Sequence, residues 1–268
     1  MIQLYLSQMF ETLKALVLLP LVGSIFEMLV PGEKQTIASR IRGLSFNLVY
    51  FATSVALATF LSVWLQLLRI PALLPIDLSH ITDSKNPIAI VAAYTVVPML
   101  SIVVFDLFYY WYHRTQHVFR PMWRVHSVHH SLEELNLFNS YHHLFEPFLS
   151  LVLIGVPMML LIRVNIADVA IAGFLVKLSD TLIHANAKLS YGPFKYLIAE
   201  PRYHRIHHSL ERRHWNKNFA SYFPFWDVLF GTAYFPKKDE WPKTGLSNQR
   251  EPRSVREYAL MPFSSASF

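Results

Sequence analysis

The chain of 268 residues is 53% hydrophobic and 15% aromatic but only 16% charged, with a mean hydropathy of +0.30, a balance that excludes an ordinary soluble domain and marks a membrane protein. It contains no cysteine, which excludes disulfides, thiolate ligands and iron–sulfur clusters within the chain and leaves nitrogen and oxygen as donors for any metal. The formal charge of +6 comes from Arg and Lys scattered among apolar residues rather than gathered in a basic stripe, which argues against nucleic acid and for an anionic membrane surface.

Apolar segments come first along the chain. Leu13 to Val30 is interrupted only by Lys14, Glu27 and small or Pro residues, and lacks the charged start and small-residue site of a cleavable signal. Leu44 to Leu68 is free of charge over 25 residues, and Ile88 to Tyr112 contains one acid, Asp106. These predict three full spans. A fourth region, Pro147 to Leu182, is split by Arg163 and Asn165 into pieces of about 16 residues, each shorter than a straight crossing needs, and reads as a tilted or partly inserted helical hairpin.

Lys34, Arg40 and Arg42 lie between the first two spans, whereas Arg69 to Lys85 is charge-balanced, so the positive-inside rule makes the first loop cytoplasmic. The third span then ends on the cytoplasmic side, where the histidines begin. No linker or low-complexity stretch divides residues 1–268, which read as one integral-membrane domain.

The histidines carry the chemistry. His113-Arg-Thr-Gln-His117 is followed by His126-Ser-Val-His129-His130, and the same His-x-x-His-His spacing returns at His204-Arg-Ile-His207-His208. With 13 histidines in the chain, chance yields one such spacing in roughly 30 sequences of this length and two far more rarely. Residues three and four apart share a helix face, so His126 with His129 and His130, or His113 with His117, can aim imidazoles at a common point. Imidazole suits iron, zinc, copper or nickel, and eight or nine clustered histidines exceed the four to six ligands of one ion, so the site is dinuclear.

Asp106, Glu146 and His143 are candidates for an outer layer that orients ligand imidazoles, the acids through hydrogen bonds to ring N–H groups. His184 ends an apolar stretch and can join the site only if the 147–182 region returns the chain to the side it left. His80 and His214 have no such companions and read as structural.

Asp106-x3-Tyr110-x2-His113-Arg114-x2-His117, then Trp123-Arg124-x-His126-x2-His129-His130-Ser131, then His184-x-Asn186, then His204-x2-His207-His208, and finally Trp226-Asp227-x-Leu-Phe-Gly-Thr232 together resemble the fatty acid hydroxylase and sterol desaturase superfamily of integral-membrane di-iron oxygenases, over about residues 90–235. The resemblance implies an O2-dependent enzyme with two iron ions, held by His113, His117, His126, His129, His130, His184, His204, His207 and His208, that attacks a C–H bond of a lipid by hydroxylation or desaturation. The residue types alone leave a zinc-dependent membrane lipid hydrolase open.

Two departures stand out: Tyr141-His142-His143-Leu144 where members commonly have Arg-x-His-Pro, and Asn216-Lys-Asn218-Phe219-Ala220 where they have an acid before Asn-Tyr-Gly. No fused haem-binding carrier domain is visible, so electrons would come from a separate cytochrome b5-, ferredoxin- or reductase-like donor. The expected fold class is all-α: a multi-span membrane bundle of about three spans plus a hairpin, with a cytosolic histidine-rich helical cap. The membrane would be a bacterial inner membrane or, in a eukaryote, the endoplasmic reticulum.

Overall fold

The computed structural model describes residues 2–68, 76–77, 85–163 and 166–264. Helix α1 (Ile2–Leu29) and helix α2 (Ile37–Leu68) come first, and helix α3 (Pro87–Val118) follows. Asn86 caps α3 by accepting the Ile88 N–H at 2.9 Å, with Pro87 at the position where its missing N–H costs nothing. Phe119 then adopts an extended conformation that breaks the helix, and Pro121 starts helix α4 (Arg120–His130), which folds back against the end of α3.

Helix α5 (Glu146–Ser150) continues through a π-helical turn (Leu151–Gly155) into α6 (Val156–Leu161), and α7 (Ile166–Ile183) packs along α3. Glu146 at the head of α5 and His184 just past α7 both reach the histidine cluster, so the segment between them goes out and comes back. Short helices α8 (Pro201–His207), α9 (Phe225–Leu229) and α10 (Val255–Leu260) follow. The expectation of an all-helical chain holds except for one parallel pairing of two-residue strands, Ile76–Asp77 with Ile162–Arg163.

Among the described residues one helix, α3, is long and apolar enough to cross a membrane by length and composition. The first two expected spans fall on α1 and α2, parts of which lie outside the described side chains, and His80 and most of the Arg69–Lys85 loop lie outside the described residues. Leu21, Val22, Ile25 and Phe26 on α1 and Ile88, Val91 and Met99 on α3 are exposed, as on a surface that meets hydrocarbon rather than water.

Buried acids tie α1 and α2 to later segments of the chain. Glu27 of α1 accepts the N–H groups of Leu137 at 3.0 Å and Asn186 at 2.8 Å and pairs with Arg40 at 2.7 Å. Glu251 accepts Arg42 at 2.9 Å and Asn139 at 2.9 Å. Around them Phe46 stacks on Tyr258 with ring centroids 4.7 Å apart and meets the edge of Tyr141 at 4.8 Å. Gly43 sits where a Cβ would lie 2.3 Å from the Phe138 carbonyl oxygen, so α2 meets the 136–139 turn backbone to backbone.

Candidate metal centre

All nine histidines of the three motifs and His184 converge, in two groups. His113 and His117 from α3, His126 and His130 from α4 and His207 from α8 form one; His129, His184, His204 and His208 form the other. Within each group one ring nitrogen per residue lies within 4.8 Å of every other. The groups share a wall, since the His130 and His208 rings stack with centroids 4.5 Å apart.

The division corrects the expectation that each His-x-x-His-His aims all its rings at one point. At 3.6 residues per turn, positions i and i+4 differ by about 40° around the axis whereas adjacent positions differ by about 100°. In α4, His126 and His130 therefore stay together while His129 turns to the other group; in α8, His204 and His208 stay together while His207 crosses over. Each copy of the motif serves both groups, in opposite senses.

Hydrogen bonds fix which nitrogen five of the nine rings offer. Nδ1 of His113 lies 2.7 Å from the Phe219 carbonyl, that of His129 2.9 Å from Tyr141, that of His184 2.5 Å from Asp180 and that of His207 2.8 Å from Lys217. A carbonyl oxygen only accepts, so these Nδ1 atoms carry the proton and Nε2 is a bare lone pair in the neutral ring. Bare lone pairs then confront one another: Nε2 of His129 and His184 are 3.3 Å apart, and Nε2 of His113 is 3.0 Å from that of His126, whose Nδ1 donates to Glu146 at 3.0 Å. Nε2 of His117, His130 and His207 is buried with no hydrogen-bond partner. Such atoms are costly unless a cation lies between them, and all-imidazole donor sets of five and four fit two transition-metal ions.

Burial holds His126, His129, His130, His204, His207 and His208 well below the ordinary imidazole range, with neighbouring histidines adding to the effect. The rings are therefore neutral at pH 7, the form that binds metal.

Around the histidine groups, Glu146 holds His126 and also accepts Tyr112 Oη and Gln116 Nε2, each at 2.5 Å. Asp106 touches no ligand imidazole, contrary to the sequence reading. Its carboxylate accepts the N–H groups of Ser221 and Tyr222 at 3.0 Å and Phe223 at 2.7 Å, fixing the loop whose Phe219 carbonyl holds His113. Asp227, to which sequence reasoning gave no role, clamps that loop from the other side, accepting Phe219 N–H at 2.8 Å, Ala220 N–H at 2.9 Å, Tyr203 Oη at 3.0 Å and Thr232 Oγ1 at 2.7 Å.

His143 turns away from the cluster, its ring between the Ala259 carbonyl and the Phe145 N–H, both at 3.3 Å. Its neighbour His142 takes the inner place, stacked on His129 with centroids 3.8 Å apart and planes 13° apart. No single ion lies in the planes of two rings so stacked, which makes His142 a wall rather than a ligand of the His129 group. The signal was the doubled His142-His143 itself, whose inner member only the fold identifies. His214 bonds Ser209 at 2.8 Å and Glu240 at 3.2 Å, a structural placement.

The sequence model described as "Fatty acid hydroxylase" matches residues 98–232, half of the chain and every histidine of both groups. The chain belongs to the fatty acid hydroxylase family. It is 32% identical over 141 residues to the alkylglycerol monooxygenase of Danio rerio, covering 53% of this chain and 31% of that protein. It is 31% identical over 158 residues to the human alkylglycerol monooxygenase, covering 58% and 35%. Against the ornithine lipid hydroxylase OlsE of Rhizobium tropici it is 27% identical over 159 residues, covering 56% and 46%. The chain thus spans less than half the length of these relatives. No solved structure matches it.

Proposed function

We propose that this fatty acid hydroxylase family member is a membrane-embedded, O2-dependent oxidoreductase that hydroxylates or desaturates a C–H bond of a lipid, with two irons held by the five-histidine and four-histidine groups. The observation that carries the reading is the set of opposed, proton-free Nε2 atoms in a family member whose relatives are named as lipid monooxygenases and hydroxylases. When bound, the irons supply the oxidant for attack on an unactivated C–H bond. The protein's share is positioning: backbone carbonyls and Glu146 hold the rings with Nε2 inward, and Asp106 and Asp227 fix the loop that supplies the Phe219 carbonyl. We place the centre on the cytoplasmic side, α3 in the bilayer, and the source of electrons in a separate donor protein.

Metal analysis of purified protein, O2 uptake with a reductant, and lipid profiling of cells expressing wild type or His129→Ala test this. The expected result is about two irons per chain and a lipid product lost in the variant. Stoichiometric zinc with a lipid product formed equally with and without O2 would overturn it in favour of a hydrolase.

A further inference from the structure

Sequence positions 169–182 of α7 are apolar or small except for Lys177, Ser179, Asp180 and Thr181, which stand within two helical turns of the ligand His184. Lys177 Nζ bonds Asp180 Oδ2 at 2.9 Å, and the backbone carbonyl of Asp180 is the acceptor that holds His184. The pair is not sealed: the two side chains keep 38% and 26% of their surface accessible, although Asp180 lies within electrostatic reach of Tyr50, Tyr109 and His142. Charged groups in such an apolar helix are expensive unless they act on something. Holding His184 accounts for the acid only: its hydrogen bond uses the Asp180 peptide carbonyl, with the carboxylate 4.0 Å from the same ring nitrogen, and the lysine beside it is left without that role.

Beside Lys177 lies a cavity of about 10 Å³, with Asn47, Ser140 and Thr181 as its other polar walls and Leu44 and Leu137 among its apolar ones. That volume seats one water-sized group. An ammonium has three N–H donors, of which the bond to Asp180 takes one. The pair is neutral overall, so a full ligand charge would leave one member uncompensated, whereas a hydroxyl adds hydrogen bonds without net charge. A phosphate is also too large for the space.

We propose that Lys177, Asp180 and the adjoining cavity form an alcohol-binding subsite that anchors the hydroxyl head of the lipid substrate, with the chain led toward the histidine groups. This rests on the oxygenase reading for its purpose but not for its test. Lys177 is seven residues from His184, roughly 10 Å along the helix, so a lipid anchored there presents a carbon near its head rather than its far methyl end.

The test is binding of monooleoylglycerol and of methyl oleate to the full-length protein in detergent, metal-loaded and without O2. Wild type should prefer the hydroxyl-headed lipid by about tenfold, as one hydrogen bond to a charged group implies. Lys177→Met combined with Asp180→Leu, which removes both charges together, should abolish the preference while leaving metal content unchanged. Thr181→Val, which keeps the ion pair, should reduce it. Equal affinity of wild type for both lipids, or a preference that survives the double variant, would overturn the proposal. So would loss of metal with equal loss of both lipids in all variants, since the pair would then be structural. A persistent preference without O2 uptake on any lipid would retain the subsite and remove the oxygenase.

Discussion

At the scale of single residues the centre depends on which nitrogen each imidazole turns inward, and for five of the nine that is set by an outer hydrogen bond. Glu146→Gln replaces the carboxylate that accepts the His126 Nδ1–H hydrogen bond with a weaker amide acceptor; metal affinity should fall about 10-fold to 100-fold, read by competition with a chelator, while membrane insertion stays intact. His207→Ala removes the one donor that α8 gives to the five-histidine group, and should abolish product formation without preventing expression. Full activity in that variant would remove His207 from the site.

The nine clustered histidines were legible in the sequence because histidine is rare enough, and helical spacing strict enough, for the pattern to stand out. Their partition was not, because it depends on where the helices face each other. Asp106 misled for a related reason: its place one to two turns before His113 suggested contact with that ring, but a carboxylate facing three successive N–H groups of a loop is better satisfied there.

Among elements, the irregular loop at 216–223 is as much a part of the centre as any helix. Asn216 and Asn218 take positive φ of 57° and 59°, conformations that asparagine tolerates better than most residues, and bring the Lys217 and Phe219 carbonyls to His207 and His113. Asp227→Asn turns an amide toward at least one of the donors the carboxylate accepts, and should cost about 2–4 kcal/mol in denaturation, with weaker metal binding as its companion. Gly43→Ala drives a methyl group into the Phe138–Asn139 backbone and should cost about 1–3 kcal/mol, although it is remote from the histidines. The three long apolar segments fall on α1, α2 and α3 because apolar length is a direct signal, although α1 begins at Ile2, well before Leu13, and among the described residues α3 alone is long and apolar enough to cross a membrane. Hydropathy gave no hint that Arg40 and Arg42, which carried the orientation argument, are each ion-paired with a buried acid.

For the whole molecule, a chain with exposed apolar faces on α1 and α3 and a polar cap should remain in the membrane fraction after alkaline carbonate and require detergent for release. Release by carbonate would refute the spanning role of α3. The crossed pattern of the two His-x-x-His-His motifs also sets an order of biogenesis. Once residue 130 has been synthesised, four of the five histidines of one group exist, whereas the other then has only His129 and waits for His184, His204 and His208. One group therefore has all but one of its members in the first half of the chain, while the other draws three of its four from the second half.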